Sequence, residues 1–186
     1  MEIEIKAKLA DKDAVMEKLR ALGCEFSPVK TQDDMVWIEK MGTMEEFLAN
    51  PVFMRIRIQN GEKVIMTAKK SKTNLATGGA SNLVKREHEV VVDSAEEARG
   101  ILEMLGLKEA VRAIKKRQTT THAGFEICID EVEGLGSFIE LEKIGEKEDA
   151  PQIQKEMSDF LATLGVSAAD QVHKGYDILI LEKNGF

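Results

Sequence analysis

Polar and apolar residues alternate with a period of two from the start of the chain. Glu2, Glu4, Lys6 and Lys8 fall on one side of an extended segment, and Ile3, Ile5, Ala7 and Leu9 on the other. The same period returns at 53–59, 62–69, 84–92, 125–132 and 137–143, with further strands expected over 34–39 and 111–120. Between strands the spacing turns helical. Ala14, Val15, Leu19 and Leu22 line one side of a helix over 12–22, with Asp11 as its cap and Gly23 as its stop. Ser94 and Glu97 have the spacing of a capping box for a helix over 95–105, stopped by Gly106. Asp149 and Pro151 open a helix to 164, and Ser167 caps a last helix running to 182. Asn60-Gly61 is a hairpin signal. Residues 42–50 read as a loop with a helical turn, and 71–82, centred on Gly78-Gly79, as the best candidate for a mobile loop.

The element order is β-α-β-β-β, the same again, then two helices. No linker of the kind that separates independent domains interrupts it. One domain over 1–186 is expected, of α+β class, with two similar halves forming a mostly antiparallel closed barrel of about eight strands and helices outside.

Composition narrows the function classes. At 186 residues, 43% hydrophobic and 32% charged, the chain reads as soluble, globular and long enough to bury a core. A net charge of -7 argues against a general nucleic-acid or anionic-membrane binder. No apolar run is long enough to span a bilayer and the charged start is no signal peptide, so the cytoplasm is the expected location. Cys24 and Cys128 lack metal-ligand spacing and are expected to be reduced and partly buried. His88, His122 and His173 have no metal-site spacing, and His88 should face away from its neighbours Glu87 and Glu89.

The charges change the picture. Taken strand by strand, one face gathers the acids Glu2, Glu4, Glu87, Glu89, Asp130, Glu140 and Glu142. It also gathers the bases Lys6, Arg55, Arg57, Lys69, Lys85, Lys115 and Arg117. The opposite faces carry Ile3, Ile5, Ile56, Ile58, Met66, Ile139 and Leu141, which outer helices would cover. The charges would then line the lumen. Burying unpaired charges costs several kcal/mol each, so such a lumen makes sense if it is wet and holds a polyanion with divalent cations. An open sheet with solvent-facing ion pairs is the alternative, and the pattern leaves both open.

Glu2-x-Glu4-x-Lys6, Arg55-x-Arg57, Thr67-x-Lys69, Glu87-x-Glu89, Lys115-x-Arg117 and the run from Asp130 to Glu142 (DEVEGLGSFIELE) occur in the order of a known family. Over nearly its whole length the chain resembles the CYTH proteins, or triphosphate tunnel metalloenzymes, and most of all the class IV adenylate cyclases. The resemblance implies an eight-stranded antiparallel tunnel around a nucleoside or other triphosphate. It makes Glu2, Glu4, Glu140 and Glu142 ligands of two Mg²⁺ or Mn²⁺ ions, and Glu87 and Glu89 supporting acids. Lys6, Arg55, Arg57, Lys69, Lys85, Lys115 and Arg117 become phosphate-binding bases. Glu2, Glu4, Lys115, Arg117 and Asp130 are the expected catalytic set. The resemblance also admits a homodimer through the exterior helices.

Two departures stand out. Where the family often has an aromatic residue after the aspartate of the second strand, Asp34 is followed by Met35-Val36-Trp37, and the C-terminal helix reads Gly175-Tyr176-Asp177-Ile178-Leu179. A packed helix tyrosine is the first reading of Tyr176, and a cap on the tunnel mouth the second. Trp37, the 71–82 loop and the C-terminal helix are the expected discriminators between activities. The expected reaction is conversion of ATP to cyclic AMP and pyrophosphate. The alternatives are an inorganic or thiamine triphosphatase, and a non-catalytic module that binds a polyphosphate or nucleotide.

Overall fold

The computed structural model describes residues 2–70, 86–146 and 148–186. The chain divides into two compact units, one of residues 1–30 and 116–173, the other of 31–115 and 174–186. Eight strands hydrogen-bond in the order β1-β8-β7-β6-β2-β3-β4-β5. They are β1 (Glu2–Leu9), β2 (Lys30–Ile38), β3 (Phe53–Gln59), β4 (Lys63–Lys70), β5 (Arg86–Val92), β6 (Lys108–His122), β7 (Phe125–Val132) and β8 (Gly136–Ile144). The architecture is therefore α+β with an eight-stranded antiparallel sheet. Hydrogen bonds do not close that sheet, because β1 and β5 end the order.

In the first unit β1 pairs antiparallel with β8, and β8 with β7. Alternation sends Ile3, Ala7, Ile127, Ile129, Ile139 and Leu141 into the core. Helix α4 (Ala150–Thr163) lies over β1, burying Ile153, Met157 and Leu161. Each fully buried side chain of this size contributes about 1.5–3 kcal/mol. Helix α1 (Lys12–Ala21) buries Val15, Met16 and Leu19, and the Asp11 carboxylate accepts from the Ala14 N–H at 2.9 Å.

In the second unit β2, β3, β4 and β5 pair in sequence, all antiparallel. The β3–β4 turn takes Asn60 and Gly61 with φ of 55° and 74°, the two left-handed residues that a tight hairpin of this twist demands. Helix α3 (Ala95–Met104) sets Ala98 and Leu102 against Met35, Trp37, Ile56 and Val64. Ser94 accepts from the Glu97 N–H at 3.1 Å, as its spacing predicts. A second cluster joins Phe47 of α2 (Met44–Leu48) and Leu181 of α5 (Tyr176–Lys183) to Ile38 and Val111. In each unit, then, helices cover the apolar strand faces and leave the charged faces to other work.

The end of the chain departs from expectation. A single helix over 167–182 does not form. A 3-10 turn (Ala168–Asp170) follows Ser167, whose side chain and Asp170 cap each other reciprocally, and α5 begins only at Tyr176. The intervening segment is extended because it pairs with β1: Gln171 bridges Ala7, and the Val172 N–H donates to the Lys6 carbonyl at 2.8 Å. That long-range contact outweighs local helix preference. Among the described residues, no helix is long and apolar enough to cross a membrane.

Candidate functional site

Each unit carries one cluster of charged side chains. In the first unit the strand register arranges them in rows. Glu4 on β1 faces Glu142 on β8, which faces Glu126 on β7. One pleat along, Lys6 faces Glu140, which faces Cys128. Lys6, Asp130 and Glu140 are buried, with relative exposures of 8%, 0% and 7%.

The second of these rows is internally neutralised. Lys6 Nζ lies 2.8 Å from Glu140 Oε1. Arg117 donates from Nε to Asp130 Oδ1 at 2.6 Å, from its terminal nitrogen to Asp130 Oδ2, and to Glu140 Oε2. Two cations thus meet two carboxylates. Burial opposes the Arg117 charge, but Asp130 and Glu140 hold its pKa well above the ordinary arginine value.

The carboxylate row behaves differently. Burial, then the charges of Glu140 and Glu2 and a hydrogen bond with Glu2, push the Glu142 carboxyl up to about 8. Two carboxyl groups share a hydrogen bond only when one holds a proton. Like charges directly opposite across a ladder are destabilising. A divalent cation relieves both conflicts through oxygen ligands, so Glu2, Glu4 and Glu142 fit a hard metal such as Mg²⁺ or Mn²⁺.

In the second unit the bases are held by acids of their own sheet. Arg57 grips Asp34 with two bonds of 2.6 Å. Burial would raise the Asp34 pKa, but Arg57, with Lys115 and Arg55, holds it below the usual carboxylate range. A terminal nitrogen of Arg55 donates to Thr67 Oγ1 at 3.0 Å and to Glu89 Oε2 at 2.9 Å. Lys69 pairs with Glu87 at 2.8 Å. Lys115, 6% exposed, stands 5.0 Å from the centre of the Tyr176 ring. On these strands Arg55, Arg57 and Lys69 therefore meet Glu89, Asp34 and Glu87, and Lys115 stands close enough to Asp34 to help lower its pKa. The buried Arg55 Nε makes no hydrogen bond among the described residues. An unfilled, buried donor on a guanidinium, with Arg57 on the same face of β3, suits a phosphate oxygen.

Of the residues singled out in the sequence, Lys85 lies outside the described residues, as do 71–82. Glu2, Glu4, Lys6, Arg117, Asp130, Glu140 and Glu142 come together in the first unit, and Arg55, Arg57, Lys69, Glu87, Glu89 and Lys115 belong to the second. Asp34, which grips Arg57, and Glu126, which extends the carboxylate row, escaped the sequence reading of the charged face. Glu126 is in phase with a chosen residue, four before Asp130 on the same strand, whereas the charged face as read from sequence drew no residue from β2, where Asp34 lies. Trp37 is corrected. It is 4% exposed in the α3 cluster, on the face of β2 opposite Asp34, and marks no site entrance. Tyr176 is buried, as a packed helix tyrosine, and also meets a candidate phosphate-binding lysine.

A protein of Methanocaldococcus jannaschii named as a candidate adenylate cyclase is 33% identical over 177 residues, covering 95% of this chain and 96% of its own. Adenylate cyclase CyaB of Aeromonas hydrophila is 29% identical over 180 residues, covering 96% and 87%. Among solved structures, a Pyrococcus horikoshii protein superposes with a TM-score of 0.77 at 29% identity, covering 98% and 99%. A Hippeastrum protein described as revealing a dominant triphosphatase activity shares the fold at TM-score 0.60 and 20% identity, covering 94% and 91%. Residues 1–176 match the CYTH domain, and the chain belongs to the CYTH family.

Proposed function

We propose that the protein is a metal-dependent adenylate cyclase that converts ATP to cyclic AMP and pyrophosphate. The observation that carries the metal-dependent part is the row Glu4–Glu142–Glu126 beside Glu2, with the Glu142 carboxyl pushed up to about 8. Such a row asks for a cation. The cyclase part is supported by family membership and by the names of relatives at 33% and 29% identity. The fold does not choose the reaction, since the Hippeastrum protein has it with a dominant triphosphatase activity.

In this reading Glu2, Glu4 and Glu142 hold the metal, two Mg²⁺ or Mn²⁺ ions, Glu140 joins them as it gives up Lys6 and Arg117, which hold its two oxygens in the free protein, and Asp130 is a further acid of the set. Bound metal supplies charge neutralisation on the phosphates and a lowered pKa for the attacking hydroxyl. Arg55, Arg57, Lys69, Lys85 and Lys115 are the phosphate-binding bases of the second unit, and Lys6 and Arg117 those of the first. Glu87 and Glu89 keep Lys69 and Arg55 extended until phosphate replaces them. Arg117 and Lys115 offset the negative charge that develops on the α-phosphoryl group and on departing pyrophosphate. The ribose 3′-oxygen bonds to the α-phosphorus as the bond to pyrophosphate breaks, and the hydroxyl proton passes to solvent. Closure of the strands into a tunnel around the triphosphate belongs to the same proposal.

The test is incubation with ATP and Mg²⁺ or Mn²⁺, separated by chromatography. Cyclic AMP with equimolar pyrophosphate is expected. Phosphate released from tripolyphosphate or thiamine triphosphate, with no cyclic AMP, makes the protein a triphosphatase instead. Tight triphosphate binding without turnover makes it a binding module.

A further inference from the structure

We propose that Cys128, Glu126 and Glu142 form a second kind of metal site, for one thiophilic divalent cation of the zinc type. Glu126 and Glu142 are partners across the β7–β8 ladder, and Cys128 is the next residue on the same face of β7. One ligating atom from each of the three lies within 4.8 Å of the other two. Zinc holds carboxylate oxygens at about 2.0–2.2 Å and thiolate sulfur at about 2.3 Å, so the three atoms need to draw together by only about 1 Å. Glu126 is exposed and free to rotate inward.

The thiol supplies the independent sign of a ligand. Cys128 is 1% exposed, is not in a disulfide and makes no hydrogen bond among the described residues. A cysteine serving as a small apolar residue belongs on the apolar face of its strand, which β7 gives to Phe125, Ile127 and Ile129. Cys128 instead takes the polar face, between Glu126 and Asp130. A buried sulfur aimed among carboxylates is a mixed soft and hard ligand set. Magnesium ignores sulfur, whereas zinc accepts sulfur and oxygen together. On binding, the thiol proton leaves to solvent, a sulfur–metal bond forms, and a water completes the coordination. Glu142 belongs to both ligand sets, so a zinc-type ion and the hard metal exclude each other. This site goes beyond the cyclase reading and requires neither nucleotide nor turnover.

The experiment titrates the intact protein, free of nucleotide, with Cd²⁺ as the probe and follows the ultraviolet sulfur-to-metal charge-transfer band. One equivalent should saturate the band in the wild type and in Cys24→Ser, and Cys128→Ser should abolish it. Glu126→Gln should weaken Cd²⁺ binding by more than the roughly 10-fold typical of an outer-shell change. Zn²⁺ should displace Mn²⁺, read by its electron paramagnetic resonance, from the wild type and not from Cys128→Ser. Should Cys128→Ser fail to fold, cadmium NMR of the wild type decides. A resonance in the sulfur-ligated range supports the site, and one in the all-oxygen range overturns it. A wild type without the band, or a band that survives Cys128→Ser, also overturns it.

Discussion

Glu4 on β1 stands directly opposite Glu142 on β8, so two glutamates of like charge meet across one ladder of the sheet. Without a cation this is a cost to folding, and with one it is a ligand pair. Glu142→Gln should therefore move stability in opposite directions under the two conditions. In chelator the variant should melt about 1–3 °C above the wild type. With Mn²⁺ at about 100 times its dissociation constant, the wild type should gain about 2.7 kcal/mol and the variant much less. Thermal melts with and without Mn²⁺ measure both. A variant stabilised by Mn²⁺ as fully as the wild type would remove Glu142 from the metal set.

The same carboxyl gives a pH signature. Burial and the charges of Glu140 and Glu2 raise it from an ordinary 4.5 to about 8 in the folded chain. Between those values the native state binds more protons than the unfolded chain, so stability is greatest below about 4.5 and falls as pH rises through 8. Metal-free protein should accordingly melt lower at pH 8.5 than at pH 6 on this group's account. Glu142→Gln should flatten the slope, and metal binding below pH 8 should release a proton. Calorimetric titration in two buffers of different ionisation enthalpy counts that proton. An unchanged slope in the variant would assign the pH dependence elsewhere.

Arg117 and Asp130 make the opposite kind of contact. Asp130 is fully buried and held by two nitrogens of Arg117. Arg117→Met takes two charge-assisted hydrogen bonds from that buried carboxylate, and the loss should be about 3–5 kcal/mol in urea unfolding. Adding Asp130→Asn removes the buried charge and should recover much of it. Glu140 keeps Lys6 as a partner, so the rescue need not involve β8. A single variant within about 1 kcal/mol of the wild type would mean that the pair orients substrate and holds nothing together.

These contrasts explain which features the sequence makes legible. The two-residue period decides which face a side chain takes, and the eight strands, their hairpin turn and the Asp11 and Ser94 caps follow from local chemistry alone. The charged faces follow too, because Glu2, Glu4 and Lys6 are in phase, as are Asp130 on β7 and Glu140 and Glu142 on β8. Ion pairing is different. That Arg117 takes both Asp130 and Glu140, or that Lys6 takes Glu140, depends on strand register across 23 and 134 residues of chain. The break in the last helix depends on β1, which lies far away in sequence. Trp37, expected to discriminate between activities, shares its parity with Met35, which places both on the apolar face of β2.

Arg55 offers the most direct test of the phosphate half. One of its terminal nitrogens is shared by Thr67 and Glu89, and its buried Nε has no partner among the described residues. Burial, then Arg57, lowers its pKa, while Asp34, Glu87 and Glu89 oppose that shift. A guanidinium so placed gains by accepting an anion. Charged hydrogen bonds contribute about 1.5–3 kcal/mol, so Arg55→Ala should weaken tripolyphosphate binding roughly 10–150-fold. Arg55→Lys should restore charge but not the second donor, and so recover only part of it. Glu89, half-exposed and competing for the same nitrogen, should act in reverse: Glu89→Gln should tighten binding by about 2–5-fold. Isothermal titration with tripolyphosphate in chelator separates the three variants from any metal effect. If Arg55→Ala binds as the wild type does, the unfilled Nε is an accident of packing and the phosphate site does not include β3.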